Sequence, residues 1–232
     1  MQVALIVPAK DEAGAIGGVV SGFKGVVVEG RPALDVIVVS DNGSKDGTAE
    51  IARAAGALVV SEPTPGYGRA CLSAMAELRK IGPPSIVVFA DGDGSNDPRD
   101  LPLLLAPILS GECDLVVGAR PRLADPQSLT VPQRFGNVFA CKLMRLVHGG
   151  HFTDLGPFRA IRWSALERLE MQDPTYGWTV EMQLKALKHH VPSREVDVRN
   201  HVRVAGRSKV SGTMRGVIGA GTKIVGTVLR YR

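Results

Sequence analysis

The feature that most constrains this fold is a regular alternation. Apolar runs rich in Val and Ile occur at Val3–Val7, Asp35–Ser40, Ala57–Val60, Ser85–Ala90 and Cys113–Gly118. Helix-length segments separate them, at about Glu12–Lys24, Asp46–Ala55, Arg69–Lys80 and Pro98–Ser110. Strands and helices in such alternation predict βαβ units and a mostly parallel central sheet flanked by helices, an α/β fold. The runs are continuous rather than alternately polar, as strands covered on both faces require. Such a sheet needs a large core, and 232 residues with 44% apolar and 22% charged side chains supply one.

The second half is less regular. Ala119–Gln133 holds Pro121, Pro126 and Pro132 and reads as a long loop. Arg134–His148 and Trp178–His190 read as helices, and Glu195–Arg199 as a strand. "HFTDLGPFRAI" reads as a loop leading into a short strand, and "RVAGRSKVSGT" as a basic loop. Thr213–Arg230 returns to helical periodicity, so the chain divides into a domain at 1–212 and a C-terminal amphipathic helix at 213–232.

Several classes are excluded. No apolar run reaches the ~18 residues of a bilayer span. The N-terminus starts a strand-like run at once, with no basic segment and apolar stretch of a signal peptide. Cys71, Cys113 and Cys141 lack C-x-x-C spacing and read as buried, reduced thiols of a cytoplasmic protein. The net charge of +5 allows anionic ligands or an anionic membrane but does not call for nucleic acid. His148 and His151 lack the partners of a metal set, and His189 and His190 sit at a helix end.

In open α/β sheets, ligands sit beyond the carboxyl ends of the strands. Three polar clusters fall there: Pro8–Glu12, Asp41–Gly47 and Asp91–Asp97. Helix caps explain one such cluster, and Asp46 and Asp97 suit that role; they explain three poorly. Asp91 and Asp93 stand close where a buried strand surfaces, and two such carboxylates repel unless a positive group joins them. Mg²⁺ or Mn²⁺, which takes one or two carboxylates plus substrate phosphates, is the simplest such group. Gly92 and Gly94 then let a diphosphate approach the backbone. The plain alternative is a polar turn capped by Asp97 before Pro98. An EF-hand fails, because its sixth and twelfth positions, counted from Asp91, hold Asn96 and Pro102.

"LIVPAKDEAGAI", "VVVSDNGSKDGTAEIA", "GYGRACLSAM" and "VVFADGDGSNDP" follow in this order, and together they resemble family 2 glycosyltransferases. The later "TDLGPFRAI", "GWTVEMQLKAL" and "RVAGRSKVSGT" resemble the dolichol- and polyprenyl-phosphate mannose or glucose synthases in particular. The resemblance covers residues 3 to about 213. It implies a GT-A-type, Rossmann-like sandwich and an inverting transfer of a hexosyl group from a UDP- or GDP-linked sugar. The implied acceptor is a polyprenyl phosphate, met on the inner face of the cell membrane. Asp11 departs from the usual Asn, Asn42 from the second Asp of Asp-Asp-Gly-Ser, and Ser95 from a frequent Gln.

The resemblance also implies residue roles. Pro8, Ala9, Glu12 and Asp41 line the nucleoside, and Asp91 holds ribose or, through water, the metal. Asp93 holds the metal directly, with Ser95 as an added oxygen ligand. Arg207 and Lys209, with Arg203 and Ser208, belong to a basic loop that closes on the diphosphate. Asp154, Gly156 and Arg159 match an acceptor segment, with Trp178 and Glu181 on a helix beside it. Arg120, Arg122 and Arg134 suit a diphosphate or acceptor phosphate. Gly66, Gly68 and Arg69 suit a phosphate at a helix start or form a surface turn. A phosphate acceptor needs no protein base; a hydroxyl acceptor does, and Asp154 or Glu181 are the candidates.

The rivals are a Mg²⁺-dependent phosphatase, whose D-x-D motif "DGDGS" resembles locally, and a non-catalytic sugar-nucleotide-binding protein. A sugar-phosphate nucleotidyltransferase wants a Gly-rich basic loop that "PAKDEAG" lacks. At the C-terminus, Met214, Val217, Ile218, Gly221, Ile224, Val225, Val228 and Leu229 share one helical face, with Arg215, Lys223 and Arg230 opposite. That face suits a membrane interface, or packing on the domain or on a second subunit of a homodimer.

Overall fold

The computed structural model describes residues 2–205 and 226–227. The elements are β1 (Val3–Ala9), α1 (Ile16–Lys24), β2 (Val27–Val28), β3 (Arg31–Pro32), β4 (Val36–Asp41), α2 (Thr48–Ala54), β5 (Leu58–Ser61), α3 (Tyr67–Ile81) and β6 (Ile86–Phe89). A 3-10 turn, Pro98–Asp100, leads into α4 (Leu101–Leu109). Then come β7 (Leu115–Ala119), α5 (Val131–His148), β8 (Arg159–Arg162), α6 (Trp163–Leu169), α7 (Trp178–Lys188) and β9 (Ser193–Asp197).

Seven strands form one sheet in the order β5-β4-β1-β6-β8-β7-β9. All neighbours are parallel except β8, which runs antiparallel to β6 and to β7. This is the mixed α/β sheet, mostly parallel, that the alternation predicts. All seven residues of β1 are buried, with Leu5 and Val7 in one apolar layer and Ala4 and Ile6 in the other. The first layer lies under α1 and α4 through Val20, Phe23, Leu101 and Ile108. The second lies under α3, α6 and α7 through Met75, Leu78, Leu166 and Met182. Burial on both faces is why the runs read as continuous.

Strand order reverses beside β1, with β4 and β5 on one side and β6 on the other. The carboxyl ends of β1, β4 and β6 therefore open onto the crevice of a topological switch point. The first-half elements match the sequence reading to within a few residues. Three elements escape it, the short strands β2 and β3 of one hairpin and α6. Helix α5 starts at Val131 rather than Arg134 because Thr130 and Gln133 form a capping box ahead of it. Asp97 caps the 3-10 turn as expected, accepting from the Arg99 N–H at 2.9 Å. The three cysteines are buried and free. No helix among the described residues is long and apolar enough to cross a membrane. Arg207, Lys209 and all of the 213–232 helix but Gly226 and Thr227 lie outside the described residues.

Candidate active site

The loop after β1 is tied to the loop after β4. The Asp11 N–H donates to Ser44 Oγ at 2.9 Å, and Asp11 Oδ1 accepts from the Lys45 N–H at 2.9 Å. Asp11 sits at φ +48°, a left-handed position that Asn and Asp both tolerate. Either residue offers the needed oxygen, so this departure from the family pattern leaves the turn intact. The Glu12 N–H donates to Thr48 Oγ1 at 2.8 Å, and Asp46 Oδ2 accepts from the Ala13 N–H at 3.1 Å. Asp46 also accepts from the Thr48 N–H, one residue ahead of the formal cap Gly47. Its carboxyl lies below the usual range: burial pushes it up, and the hydrogen bonds from Thr48 and Ala13 outweigh that.

Asn42 has a role that Asp would fill poorly. Its amide donates to the carbonyls of Glu62 and Thr64 at 2.9 and 2.8 Å, and its Oδ1 accepts from the Gly66 N–H at 2.8 Å. A carboxylate has no hydrogens for two carbonyls. Asn42 thus clamps the loop that leads into α3 and its first residue, Tyr67. Asp41, buried beside it at the end of β4, accepts from the Ser44 N–H at 3.4 Å.

Asp91 and Asp93 follow β6. Burial first, and then the charge of Asp93, push the Asp91 carboxyl up to about 7; Glu12 adds to this, while Arg120 and the Tyr67 hydroxyl oppose it. Tyr67 is itself held well above its ordinary value by burial and by Asp91, so it stays protonated and donates. Asp93 Oδ1 accepts from the Ser95 N–H at 3.0 Å. A strained carboxylate pair is where a divalent cation gains most. No group of three metal-ligating side chains occurs among the described residues. An ion there would rely on these two carboxylates and on substrate oxygens, the habit of Mg²⁺.

The two glycines also make room for protein packing. A Cβ on Gly92 would lie 3.2 Å from Ala9 Cβ, and one on Gly94, at φ +79°, would lie 2.6 Å from Val204 Cγ2. Val204 belongs to a strap, residues 199–205, that crosses the mouth of the crevice. The strap's backbone is held by Asp93 and Ser95, whose carbonyls accept from the N–H groups of Val204 (3.0 Å) and His201 (2.8 Å). Its side chains reach three loops. Arg199 pairs with Asp100; His201 bridges Asp97 (3.1 Å) and Asp125 (2.9 Å); Arg203 meets Glu12 at 2.7 Å and Asp93 at 3.5 Å. The hydrogen bonds to Asp97 and Asp125 raise the His201 imidazole above its ordinary value.

On the acceptor side the structure corrects several expectations. Asp154, fully buried, accepts from the Arg120 backbone N–H (2.9 Å) and from both arms of its guanidinium (2.7 and 2.9 Å). Burial pushes its carboxyl up, but Arg120 holds it below the usual range. It positions Arg120 and is closed to an acceptor hydroxyl. Glu181, also fully buried, pairs with Lys185 at 2.8 Å and accepts from the N–H groups of Gln172 and Asp173. It too is committed to structure. Arg159 is buried and gives its donors to the carbonyls of Gly156, Thr179 and Leu155. Burial brings it down to about 10, and it anchors the acceptor segment from within. At the start of α3, the Gly68 and Arg69 N–H groups are taken by the carbonyls of Thr175 and Pro174, so that turn packs on protein backbone and is neither the phosphate site nor the surface turn that the sequence allowed.

The crevice thus gathers Pro8, Ala9, Glu12, Asp41, Asp91, Asp93 and Ser95 on three adjoining loops, with Arg120 near enough to act on Asp91. Sequence reasoning missed Tyr67, Asp100, His201 and the strap's anchoring. Only the one-residue spacing of Arg199, His201 and Arg203 hints at side chains on one side of an extended segment.

The family model for glycosyl transferase family 2 matches residues 4–170, and the chain belongs to that family. It is 38% identical to an uncharacterized glycosyltransferase of Mycobacterium tuberculosis H37Rv, over 83% of this chain and 85% of the relative. It is 29% identical to glycosyltransferase AglJ of Haloferax volcanii, over 88% and 64% respectively. Among solved structures, it resembles glucosyl-3-phosphoglycerate synthase from Mycobacterium tuberculosis in complex with Mn²⁺, UDP and glucosyl-3-phosphoglycerate. That likeness has a TM-score of 0.77 at 23% identity and covers 99% of this chain and 79% of that one. The fold is accordingly that of the GT-A glycosyltransferases.

Proposed function

We propose that the protein moves a hexosyl group, with inversion, from a nucleoside-diphosphate sugar to the phosphate of a polyprenyl phosphate, using Mg²⁺ or Mn²⁺. One observation carries the donor half: Glu12, Asp41, Asp91 and Asp93 converge at the carboxyl ends of β1, β4 and β6. Pro8, Ala9, Glu12 and Asp41 line the nucleoside. Asp93 would hold the ion, with Asp91 and Ser95 beside it, and such an ion would supply the charge that neutralises a departing diphosphate. Arg207 and Lys209, which follow the strap in sequence, would supply positive charge to the same diphosphate.

The acceptor half rests on the burial of the two candidate bases. A hydroxyl acceptor requires one, yet both candidate carboxylates are buried in ion pairs, Asp154 with Arg120 and Glu181 with Lys185. An ionised phosphate oxygen needs no proton removed. Arg120, held by Asp154 close enough to lower Asp91, offers that phosphate a fixed positive partner. Such an acceptor is met at the cytoplasmic face of a membrane. A small phosphorylated acceptor is the second reading, supported by the likeness to the glucosyl-3-phosphoglycerate synthase.

Calorimetry with UDP and GDP, with and without Mn²⁺, tests the donor half. One nucleotide should bind, and more tightly with the ion; no binding of either with Mn²⁺ would overturn it. Transfer of labelled sugar to polyprenyl phosphate or to 3-phosphoglycerate separates the acceptors. Asp93→Ala should abolish transfer in a protein that remains folded.

A further inference from the structure

Helix α5 carries an apolar face that the rest of the described chain leaves uncovered. Val131, Phe135 and Leu146 are 79%, 73% and 84% exposed, and Val138 and Phe139 are about half exposed. Their spacing places them on one side of the helix. Phe135 and Phe139 stack in parallel, with ring centroids 6.5 Å apart. Of the fifteen large apolar residues exposed among the described residues, five belong to this one helix. Three more, Leu123, Val202 and Val204, lie on the loop before α5 and on the strap. Those two segments are joined where the Asp125 N–H donates to the Asn200 carbonyl at 2.8 Å. Exposed apolar side chains gathered on one helix face in this way mark an interaction site.

Charge selects the occupant. Arg134, Lys142 and Arg145 are exposed on the same side of α5, and the helix has no Asp or Glu. A second copy of the chain, docked through the same face, would set these cations against their own equivalents. The chain's own residues 206–232 are no better suited, since they carry Arg207, Lys209, Arg215, Lys223, Arg230 and Arg232 and no carboxylate side chain. A surface that is apolar and basic together fits a bilayer rich in anionic lipid, where rings enter the acyl boundary and cations meet headgroups.

The inner side of α5 leads to the acceptor segment. Asn137 donates to the Thr153 carbonyl at 3.1 Å and accepts from the Leu155 N–H at 2.7 Å, on either side of the Asp154 that holds Arg120. We infer that the outer face of α5 docks on the surface of an anionic bilayer and so turns the acceptor side of the crevice toward the membrane. The inference deepens the polyprenyl-phosphate reading and rests on it for its purpose, though not for its test.

The test is flotation of the full chain with vesicles of phosphatidylcholine alone or with phosphatidylglycerol. The wild type should float with the anionic vesicles, and added salt should release it. The double variant Phe135→Ser/Phe139→Ser should bind them at least about tenfold more weakly, and Lys142→Gln/Arg145→Gln should lose the preference for anionic lipid. Unchanged calorimetric binding of nucleotide and Mn²⁺ would show that the variants keep their fold and donor site. Failure of the wild type to float, or equal flotation of the double variant, overturns the inference. So does a two-chain mass in light scattering that the double variant abolishes, which assigns the face to a second copy. If vesicles bind but polyprenyl phosphate receives no sugar, docking stands and the acceptor reading fails. If sugar is transferred in detergent but vesicles do not bind, the acceptor reading stands and docking fails.

Discussion

Asn42→Asp, which restores the residue usual in this family's motif, should destabilise this chain. The Asn42 side chain is buried, and its amide satisfies the Glu62 and Thr64 carbonyls. The variant keeps the oxygen that accepts from the Gly66 N–H but turns two hydrogen bonds into carbonyl–carboxylate contacts. A buried polar group left unsatisfied costs about 1–3 kcal/mol, so two such losses amount to about 3 kcal/mol. For a chain of this size, that corresponds to a fall in Tm of roughly 6–12 °C. Urea denaturation of wild type and variant, at neutral and acid pH, measures it. The deficit should narrow on acidification, because a protonated acid regains one donor. Nucleotide binding should weaken as well, since the clamped loop sets Tyr67 beside Asp91. A variant within about 0.5 kcal/mol of the wild type at neutral pH, a typical surface substitution effect, would refute the assignment of Asn42 as a clamp.

Three further outcomes follow from the site's electrostatics. With the Asp91 carboxyl at about 7, protons compete with the ion. Mn²⁺ affinity, read by electron paramagnetic resonance, should rise with pH up to about 7 and then level; a flat profile from pH 5.5 to 8.5 counts against that competition. His201 is raised in the folded state, so its contribution is fully present below the unfolded value near 6.5 and is lost as pH rises through the folded one. The stability gap between wild type and His201→Gln should therefore be widest in mild acid and close in alkali, and a constant gap would mean that no charge is involved. Asp154→Asn leaves the Arg120 guanidinium without its counter-charge and should lower stability by about 3–5 kcal/mol in denaturant titrations. A loss below about 1 kcal/mol, the range of exposed pairs, would mean that the pair is solvated.

The sheet and the donor crevice were legible because their signals are local. Continuous apolar runs, helix-length intervals and acidic turns at strand ends are written within a few residues of one another, and parallel order follows from the alternation. Asp97 as a cap is of the same kind, a contact two residues long. What only the tertiary structure decided lies between residues far apart in the chain. His201 meets Asp97 across 104 residues and Arg199 meets Asp100 across 99, so no spacing pattern announces the strap. Asp154 and Glu181 looked like bases because a carboxylate in a motif carries no mark of its partner. Arg120 and Lys185 turn them into anchors, since a charge taken out of water is retained only beside its opposite. The β8 strand runs against its neighbours because the excursion through α5 brings the chain back into the sheet at the same carboxyl end that β7 leaves. Gly92 and Gly94 read in sequence as room for a diphosphate, and only the fold shows the Ala9 and Val204 side chains within van der Waals reach of their missing Cβ atoms.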